Sequence, residues 1–199
     1  MTEALQKKLH GYSLTLGSGS PRRKELLAGL HLPFTVRTLK TEEDFPDTLP
    51  ALQVAPYLAE KKAQAFRDTV AAKEIILTAD TVVIAENNIL NKPAEASEAS
   101  EMLHLLSGKT HTVCTGFSLL FEGQLYTQAD EVKVDMLPLS AEAIAYYIET
   151  ARPYDKAGAY GIQEWIGHIG VKAIHGSFYT VMGLPVHLVY SALLQLLSR

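Results

Sequence analysis

Cysteine is nearly absent from this chain of 199 residues, where Cys114 is the single example. One thiol excludes an internal disulfide and is typical of a reducing compartment, so we expect a cytoplasmic protein. Cys114 lies in a segment with strand character, which favours a core thiol over a nucleophile. A long apolar run and a signal-peptide layout are also missing, so we expect no membrane segment.

An excess of basic residues is missing as well. The chain has 18 Lys and Arg against 22 Asp and Glu, a formal net charge of −4. We therefore expect no direct binding to nucleic acid, and any phosphate binding has to be local. The His residues form no H-x-H or H-E-x-x-H pair, which argues against zinc. No serine has a G-x-S-x-G setting, which argues against a serine hydrolase.

The remaining composition, 47% hydrophobic and 20% charged, is that of a globular protein. We expect residues 1–199 to form one domain. Helical and strand patterns alternate early, and a long hairpin follows, which predicts an α/β fold with a mixed sheet and helices packed on it. The predicted strands are 12–16, 34–38, 75–85, 110–121, 124–136, 158–162 and 169–174. The predicted helices are 21–30, 52–66, 97–106 (capped by Ser97), 140–150 and 185–197.

Residues 17–23, Gly-Ser-Gly-Ser-Pro-Arg-Arg, join a strand to a helix. Ser20 is a good N-cap and Pro21 suits the first helical position. The helix start then presents free N–H groups, to which Arg22 and Arg23 add forked cationic donors. This pattern indicates a phosphate site, although solvated arginines at an ordinary helix start are the alternative. The dinucleotide fingerprint fails at Arg22, where its third glycine is required.

Asp80 interrupts the apolar run 75–84, where a carboxylate costs free energy unless a cation or a donor meets it. It is either a structural aspartate bonded to backbone N–H groups, or a metal ligand or general base. Glu43 is a candidate to join it at a magnesium site, and Lys62 and Lys92 are candidate phosphate partners. Each of these three residues, taken alone, also fits a solvated surface. Gln163 carries a donor and an acceptor that could read a base.

Six segments, taken in order, resemble the Maf family of nucleoside triphosphate pyrophosphatases over nearly the whole chain. They are the segments 18–27, 79–83, 90–93, 106–111, 155–163 and 176–185. The resemblance implies an elongated mixed sheet in two lobes with a nucleotide cleft, similar to the inosine triphosphatase fold. It also implies cleavage of a nucleoside triphosphate to the monophosphate and pyrophosphate, a divalent metal (Mg²⁺ or Mn²⁺), a homodimer and a house-cleaning role against non-canonical nucleotides.

The same resemblance implies individual roles. Asp80 matches the catalytic base, and Glu43 matches an acid near the metal; whether Asp80 acts as base or metal ligand stays open. The phosphate-contacting positions are Ser18, Arg22, Arg23, Lys62 and Lys92. Substrate choice follows Arg22, Thr81 and Gln163, a set typical of the branch that acts on dTTP and UTP.

Two other functions stay open from the sequence. One is the same reaction on 7-methyl-GTP, and the other is a non-catalytic regulator of cell division. The chain also departs from the family pattern at three places. Gly17 replaces a common alanine, Asn91 stands where glycine or glutamate is usual, and Glu164-Trp165 follows Gln163 where a glycine is usual.

Overall fold

The structure is a computed structural model that describes residues 2–198. Its strands are β1 Ser13–Leu16, β2 Thr35–Val36, β3 Glu74–Ala85, β4 Asn88–Leu90, β5 Thr110–Phe121, β6 Gln124–Met136 and β7 Val171–His175. Its α-helices are α1 Thr2–Lys8, α2 Pro21–Ala28, α3 Ala51–Gln64, α4 Ala96–Leu106, α5 Ala141–Ala151, α6 Trp165–Gly170, α7 Phe178–Met182 and α8 Val186–Leu196. No helix within residues 2–198 is long and apolar enough to cross a membrane.

The seven strands form one sheet in the order β2-β1-β3-β5-β6-β7, and β4 pairs with β3. Strand β1 runs parallel to both β2 and β3, whereas β4 is antiparallel to β3 and β7 is antiparallel to β6. The sheet is therefore mixed, and helices alternate with its strands along the chain. This confirms the predicted α/β class with a mixed sheet.

The chain divides into two compact units. The first unit comprises Met1–Asp80, Thr115–Asp130 and Gly183–Arg199. In it, Phe66 packs in a fully apolar cluster with Ala63, Ile76 and Leu120. The buried face of α3 supplies much of the rest of this core, because its small and branched residues recur at helical spacing.

The second unit comprises Thr81–Cys114 and Glu131–Met182. Its core lies where α4 packs against α5 and against a 3₁₀ turn at Ala157–Ala159. Leu103 and Leu106 of α4 and Tyr147 of α5 are completely buried there. Ser140 caps α5, since its hydroxyl accepts a hydrogen bond from the Ala143 N–H.

Two local predictions are wrong. Residues 158–162 form no strand, because Gly158 and Ala159 have φ angles of 67° and 58° that bend the chain. The predicted strand 169–174 is present as Val171–His175 and begins two residues later, because α6 extends to Gly170. Ser97 is not a cap: α4 begins one residue earlier, after Glu95. The other predicted strands and helices are present, with ends that differ by up to two residues.

Candidate active site

The loop between β1 and α2 has the predicted helix-capping geometry. Ser20 is the N-cap, its backbone is extended, and its hydroxyl accepts a hydrogen bond from the Arg23 N–H at 3.4 Å. Pro21 occupies the first helical turn. The Ser20 N–H in turn donates to the Ser18 hydroxyl at 3.3 Å. These contacts hold Ser18 at the start of α2, where the helix presents partial positive charge.

A glycine at the end of β1 allows this loop to lie against β3. The Gly17 N–H donates to the Leu77 carbonyl at 2.7 Å. A Cβ atom at Gly17 would lie 2.8 Å from Thr78 Cγ2 and 2.9 Å from Phe66 Cε2. Both distances are shorter than a real Cβ contact, so a side chain at residue 17 would require Thr78 or Phe66 to move.

Arg23 is tied to two parts of the first unit. Its Nε donates to the Gly183 carbonyl at 2.9 Å, and one of its terminal nitrogens donates to the Ser18 hydroxyl at 3.3 Å. A backbone carbonyl and a hydroxyl thus fix the plane of the guanidinium. A planar, fixed fork of N–H donors is well suited to phosphate oxygens.

The electrostatic surroundings of Arg23 include both predicted acids. Burial lowers the pKa of the Arg23 guanidinium, and the positive charge of Arg22 lowers it further. The negative charges of Asp80 and Glu43 act in the opposite direction and raise it. Arg23 is therefore partly desolvated and lies in the combined field of Arg22, Asp80 and Glu43.

Lys62 joins the two predicted acids directly. Its Nζ donates to Asp80 Oδ1 at 2.5 Å and to Glu43 Oε1 at 2.7 Å. Asp80 is only 7% exposed, whereas the Glu43 side chain is 45% exposed. The buried aspartate therefore has the cationic partner that its apolar strand requires, and this contact disfavours the reading in which only backbone N–H groups satisfy it.

The meeting of Lys62 and Asp80 follows from the packing of α3 on β3. One step earlier, the Thr78 hydroxyl donates to the Ala59 carbonyl at 2.6 Å. Asp80 is two residues beyond Thr78 and shares its face of the strand, and Lys62 is three residues beyond Ala59 on the same side of the helix. The polar contact and the ion pair are thus successive contacts across one interface.

The structure therefore brings Ser18, Arg23, Glu43, Lys62 and Asp80 together in the first unit, with Arg22 within electrostatic range. Two carboxylates that share a cation match the chemistry of a magnesium site completed by water and phosphate oxygens. Within residues 2–198, no cluster of three or more His, Cys, Asp or Glu side chains is arranged to hold a metal. A divalent ion at Asp80 and Glu43 would thus depend on the substrate for further ligands.

The other three predicted residues lie in the second unit. Thr81 follows Asp80 in β3, and Lys92 is an exposed residue just beyond β4. The neighbour of Lys92, Asn91, accepts a hydrogen bond at 3.2 Å from the Gly158 N–H, so the segment after β4 contacts the 3₁₀ turn that precedes Gln163.

Gln163 lies in a tight turn that the Glu164 N–H closes by donating to the Gly161 carbonyl at 3.0 Å. Among the residues that the structure describes, nothing hydrogen-bonds to its buried Oε1 atom. A buried carbonyl oxygen without a partner is uncommon and costs free energy, so it is a good candidate to accept a bond from a ligand.

Sequence reasoning missed Tyr147. Its ring belongs to the apolar face of α5, a pattern that indicates only a core residue. The hydroxyl nevertheless accepts a hydrogen bond from the Gly161 N–H at 3.0 Å and donates one to Glu164 Oε2. Nothing in the sequence connects residue 147 with the turn that carries Gln163.

Comparison with known proteins gives consistent matches. The family model described as Maf-like protein matches residues 13–196. A dTTP/UTP pyrophosphatase of Phocaeicola vulgatus is 47% identical over 197 residues, which cover 98% of this chain and 100% of the relative. A protein of the same name from Porphyromonas gingivalis strain W83 is 47% identical over 188 residues, 93% of this chain and 94% of its own.

A solved structure gives a much weaker match. The Staphylococcus aureus Ham1 protein aligns with 62% of this chain and 71% of its own, at 10% identity and a TM-score of 0.44. A likeness at this level supports no conclusion about this chain.

Proposed function

Because this chain belongs to the Maf-like family, we propose that it is a nucleoside triphosphate pyrophosphatase that hydrolyses dTTP and UTP. The products are the nucleoside monophosphate and pyrophosphate, and modified pyrimidine nucleotides fall within the same substrate class. One observation carries this proposal: the ammonium group of Lys62 contacts Asp80 and Glu43 in the same unit as the α2 helix start and its arginines. We also propose that residues 1–199 form one catalytic domain.

Binding of the triphosphate depends on neutralisation of its negative charge. A triphosphate repels an attacking water molecule unless its negative charge is neutralised. Ser18 and the α2 helix start offer hydrogen-bond donors, and Arg22, Arg23 and Lys62 offer positive charges. Lys92 is proposed to contact the phosphates as well, and this role rests on the family resemblance alone. Fixed donors of this kind hold the phosphates for in-line attack at the α-phosphorus.

Asp80 is the general base of this proposal. Its ionised carboxylate accepts a proton from the water that attacks the α-phosphorus. Lys62 holds that carboxylate in one orientation, because the ion pair is short and largely buried. The bond between the α-phosphorus and the oxygen that bridges to the β-phosphorus breaks, and pyrophosphate leaves with its electron pair. The positive charges of Arg22, Arg23 and Lys62 stabilise the charge of this leaving group.

The residues also fit a divalent metal. Asp80 and Glu43 would hold Mg²⁺ or Mn²⁺, since both carboxylates lie within reach of one cation, the Lys62 ammonium group. When bound, the ion would supply neutralisation of phosphate charge and favour ionisation of water.

Recognition of the base is assigned to Gln163, with Thr81 and Arg22. Uracil and thymine present an N3–H donor between two carbonyl oxygens. The Gln163 amide matches this edge, because Oε1 can accept from N3–H while Nε2 donates to a carbonyl oxygen. The absence of a hydrogen-bond partner on Oε1, within the described part of the chain, supports this assignment. The thymine of dTTP and the uracil of UTP have the same N3–H and carbonyl edge, so the Gln163 amide can recognise both nucleotides.

The assembly of the protein is proposed on the resemblance alone, and its location on the single cysteine, Cys114. We propose a cytoplasmic homodimer that has a nucleoside triphosphate as its binding partner. Light scattering coupled to size-exclusion chromatography distinguishes a mass near twice 21.8 kDa from that of one chain.

The proposed function is tested on a panel of canonical and modified nucleotides that includes 7-methyl-GTP, with Mg²⁺ and with Mn²⁺. We expect dTTP and UTP to be consumed fastest, with pyrophosphate released in equal amount to the monophosphate. Asp80→Asn should lower turnover about a thousandfold. Asp44→Asn is the matched control, because Asp44 pairs with Lys61, the neighbour of Lys62. Faster turnover of 7-methyl-GTP, or release of orthophosphate alone, would contradict the proposal.

A further inference from the structure

One hydroxyl group holds both ends of the turn that carries Gln163. Tyr147 Oη accepts a hydrogen bond from the Gly161 N–H at 3.0 Å and donates one to the Glu164 carboxylate. Gly161 and Glu164 are the first and last residues of the turn, and they also bond to each other. Gln163 thus lies inside a closed ring of contacts that is anchored on helix α5.

The glycine at the first position lets the carboxylate reach this hydroxyl. A Cβ atom at Gly161 would lie 2.7 Å from the carboxyl carbon of Glu164 and 3.0 Å from both of its oxygens. Any other residue at 161 would push the Glu164 side chain away. The close approach of carboxylate and backbone is therefore specific to this pair of residues.

The carboxylate is also held by charge. Glu164 Oε1 lies 3.1 Å from Lys156 Nζ, and the same ammonium group lies 2.8 Å from Asp155 Oδ1. Lys156 is buried, so it needs an acid to compensate its charge. Tyr147 has no exposed surface, and burial together with the bond to Glu164 raises the pKa of its hydroxyl, which keeps it a donor. The Tyr147 hydroxyl, the Glu164 carboxylate and the Lys156 ammonium group are thus all paired, which restricts the positions that they can take.

We infer that Tyr147 and Glu164 are positioning residues that fix the amide of Gln163 for recognition of the pyrimidine base. The inference rests on the proposed function, since it needs Gln163 to read the base. An amide can meet a base edge in one orientation only if its backbone is held still, and Tyr147 contacts both the first and the last residue of the turn. Both residues act through Gln163 and touch no reacting atom.

The test compares UTP with N3-methyl-UTP, which lacks the donor that Gln163 Oε1 is expected to accept. In the native protein we expect the ratio of kcat/KM for UTP to that for N3-methyl-UTP to be large. Tyr147→Phe keeps the buried ring and removes both hydrogen bonds. It should raise KM for UTP about tenfold, leave kcat within about twofold and lower the ratio about tenfold. A purely structural role would reduce turnover of both nucleotides and leave the ratio unchanged.

Four further variants test the inference more sharply. Tyr146→Phe is the matched control, because Tyr146 is the next residue of α5, is 52% exposed and contacts Trp165 through its ring. It should leave the ratio as in the native protein. Gln163→Ala sets the lower limit of the ratio, and adding Tyr147→Phe to it should cause no further fall. Glu164→Gln keeps the shape of the side chain and should give an intermediate ratio.

The outcomes are distinguishable. If the native protein hydrolyses neither UTP nor dTTP, the proposed function is wrong and the positioning role falls with it. If the native protein hydrolyses UTP but a folded Tyr147→Phe variant keeps the native ratio, only the positioning role is wrong. If Tyr147→Phe does not fold, the ratio of Glu164→Gln decides, and a native value there overturns the inference.

Discussion

Lys62 Nζ lies 2.5 Å from Asp80 Oδ1, so the one acidic residue of the apolar run 75–84 has its counter-ion on helix α3. The same helix presents Lys61 to Asp44 at 2.5 Å, in a far more exposed setting. Two adjacent lysines therefore make two ion pairs that differ in burial and in assigned role. This contrast provides an internal control for the site.

Replacement of these two lysines should have unequal effects. Lys62→Ala should lower kcat/KM for dTTP about a hundredfold, because it removes a fixed positive charge from the phosphates and from Asp80. Lys61→Ala should stay within about threefold of the native value, since exposed ion pairs contribute little. Steady-state kinetics of the two variants, with circular dichroism to verify folding, measures the difference. Equal losses would show that Lys62 has no special role.

Loss of a carboxylate should weaken the binding of the metal. EDTA should abolish turnover, and Mg²⁺ or Mn²⁺ should restore it. Glu43→Gln should raise the metal concentration for half-maximal activity about tenfold, because it removes one of the two carboxylates. Calorimetric titration of Mn²⁺ into the protein with a non-hydrolysable dTTP analogue gives a readout independent of activity. Glu42→Gln is the control from the same exposed loop, and an equal shift there would refute a ligand role for Glu43.

The close approach of β1 to β3 predicts that a single methyl group added at residue 17 lowers the stability of the protein. Gly17→Ala should destabilise the protein by about 1–3 kcal/mol, because the new Cβ meets Thr78 and the buried ring of Phe66. This is expected although alanine is common at that position in the family. Gly19→Ala should change stability much less, since its Cβ would lie 3.6 Å from Thr38 Cγ2. Urea unfolding compares the two variants, and a tolerated Gly17→Ala would show that Phe66 has room to move.

His111 predicts a pH dependence of stability. Its side chain is 3% exposed, its Nε2 lies 2.7 Å from the Tyr160 hydroxyl, and burial lowers its pKa from 6.5 to about 4. Between these values the unfolded chain binds the extra proton and the folded chain does not. Stability should therefore be complete above pH 6.5 and fall as the pH drops towards 4, by about 3 kcal/mol in total.

The contribution of His111 can be isolated by substitution. His111→Gln should flatten the dependence of the unfolding free energy between pH 6.5 and pH 4, whereas replacement of the exposed His168 by Gln should not. Urea unfolding at several pH values supplies the measurement. If the unfolding free energy of His111→Gln changes with pH as much as that of the native protein, the pH dependence comes from other groups.

The sequence predicted the elements that have strong local patterns. The apolar run of β3, the hairpin of β5 and β6, and the capped start of α2 were all predicted, because periodicity and cap chemistry are local properties. The segment after α5 was not. Gly158 and Ala159 have positive φ angles, which prevent a strand there. Helix α6 was not predicted, because its glycines disfavour a helix and its isoleucines are typical of a strand.

The candidate site shows the same division. Ser20, Pro21 and the arginines could be assigned from one short segment, and Asp80 could be singled out because it is charged in an apolar run. The convergence of Glu43, Lys62 and Asp80 could not be derived from spacing, since it depends on how α3 packs on β3. Only the resemblance to a family placed these residues in one site. Neither local sequence patterns nor the family resemblance pointed to Tyr147, because its inferred role depends on the hydroxyl of a side chain that otherwise belongs to the core.

Attack of water on the α-phosphorus is the central claim, and hydrolysis of dTTP in ¹⁸O-labelled water tests it most directly. Mass spectrometry of the products should find the label in dTMP, with unlabelled pyrophosphate as the second product. Asp80→Asn should yield almost no labelled dTMP over the same time. Label in pyrophosphate or in orthophosphate would contradict the account, because the water would then have attacked a different phosphorus atom.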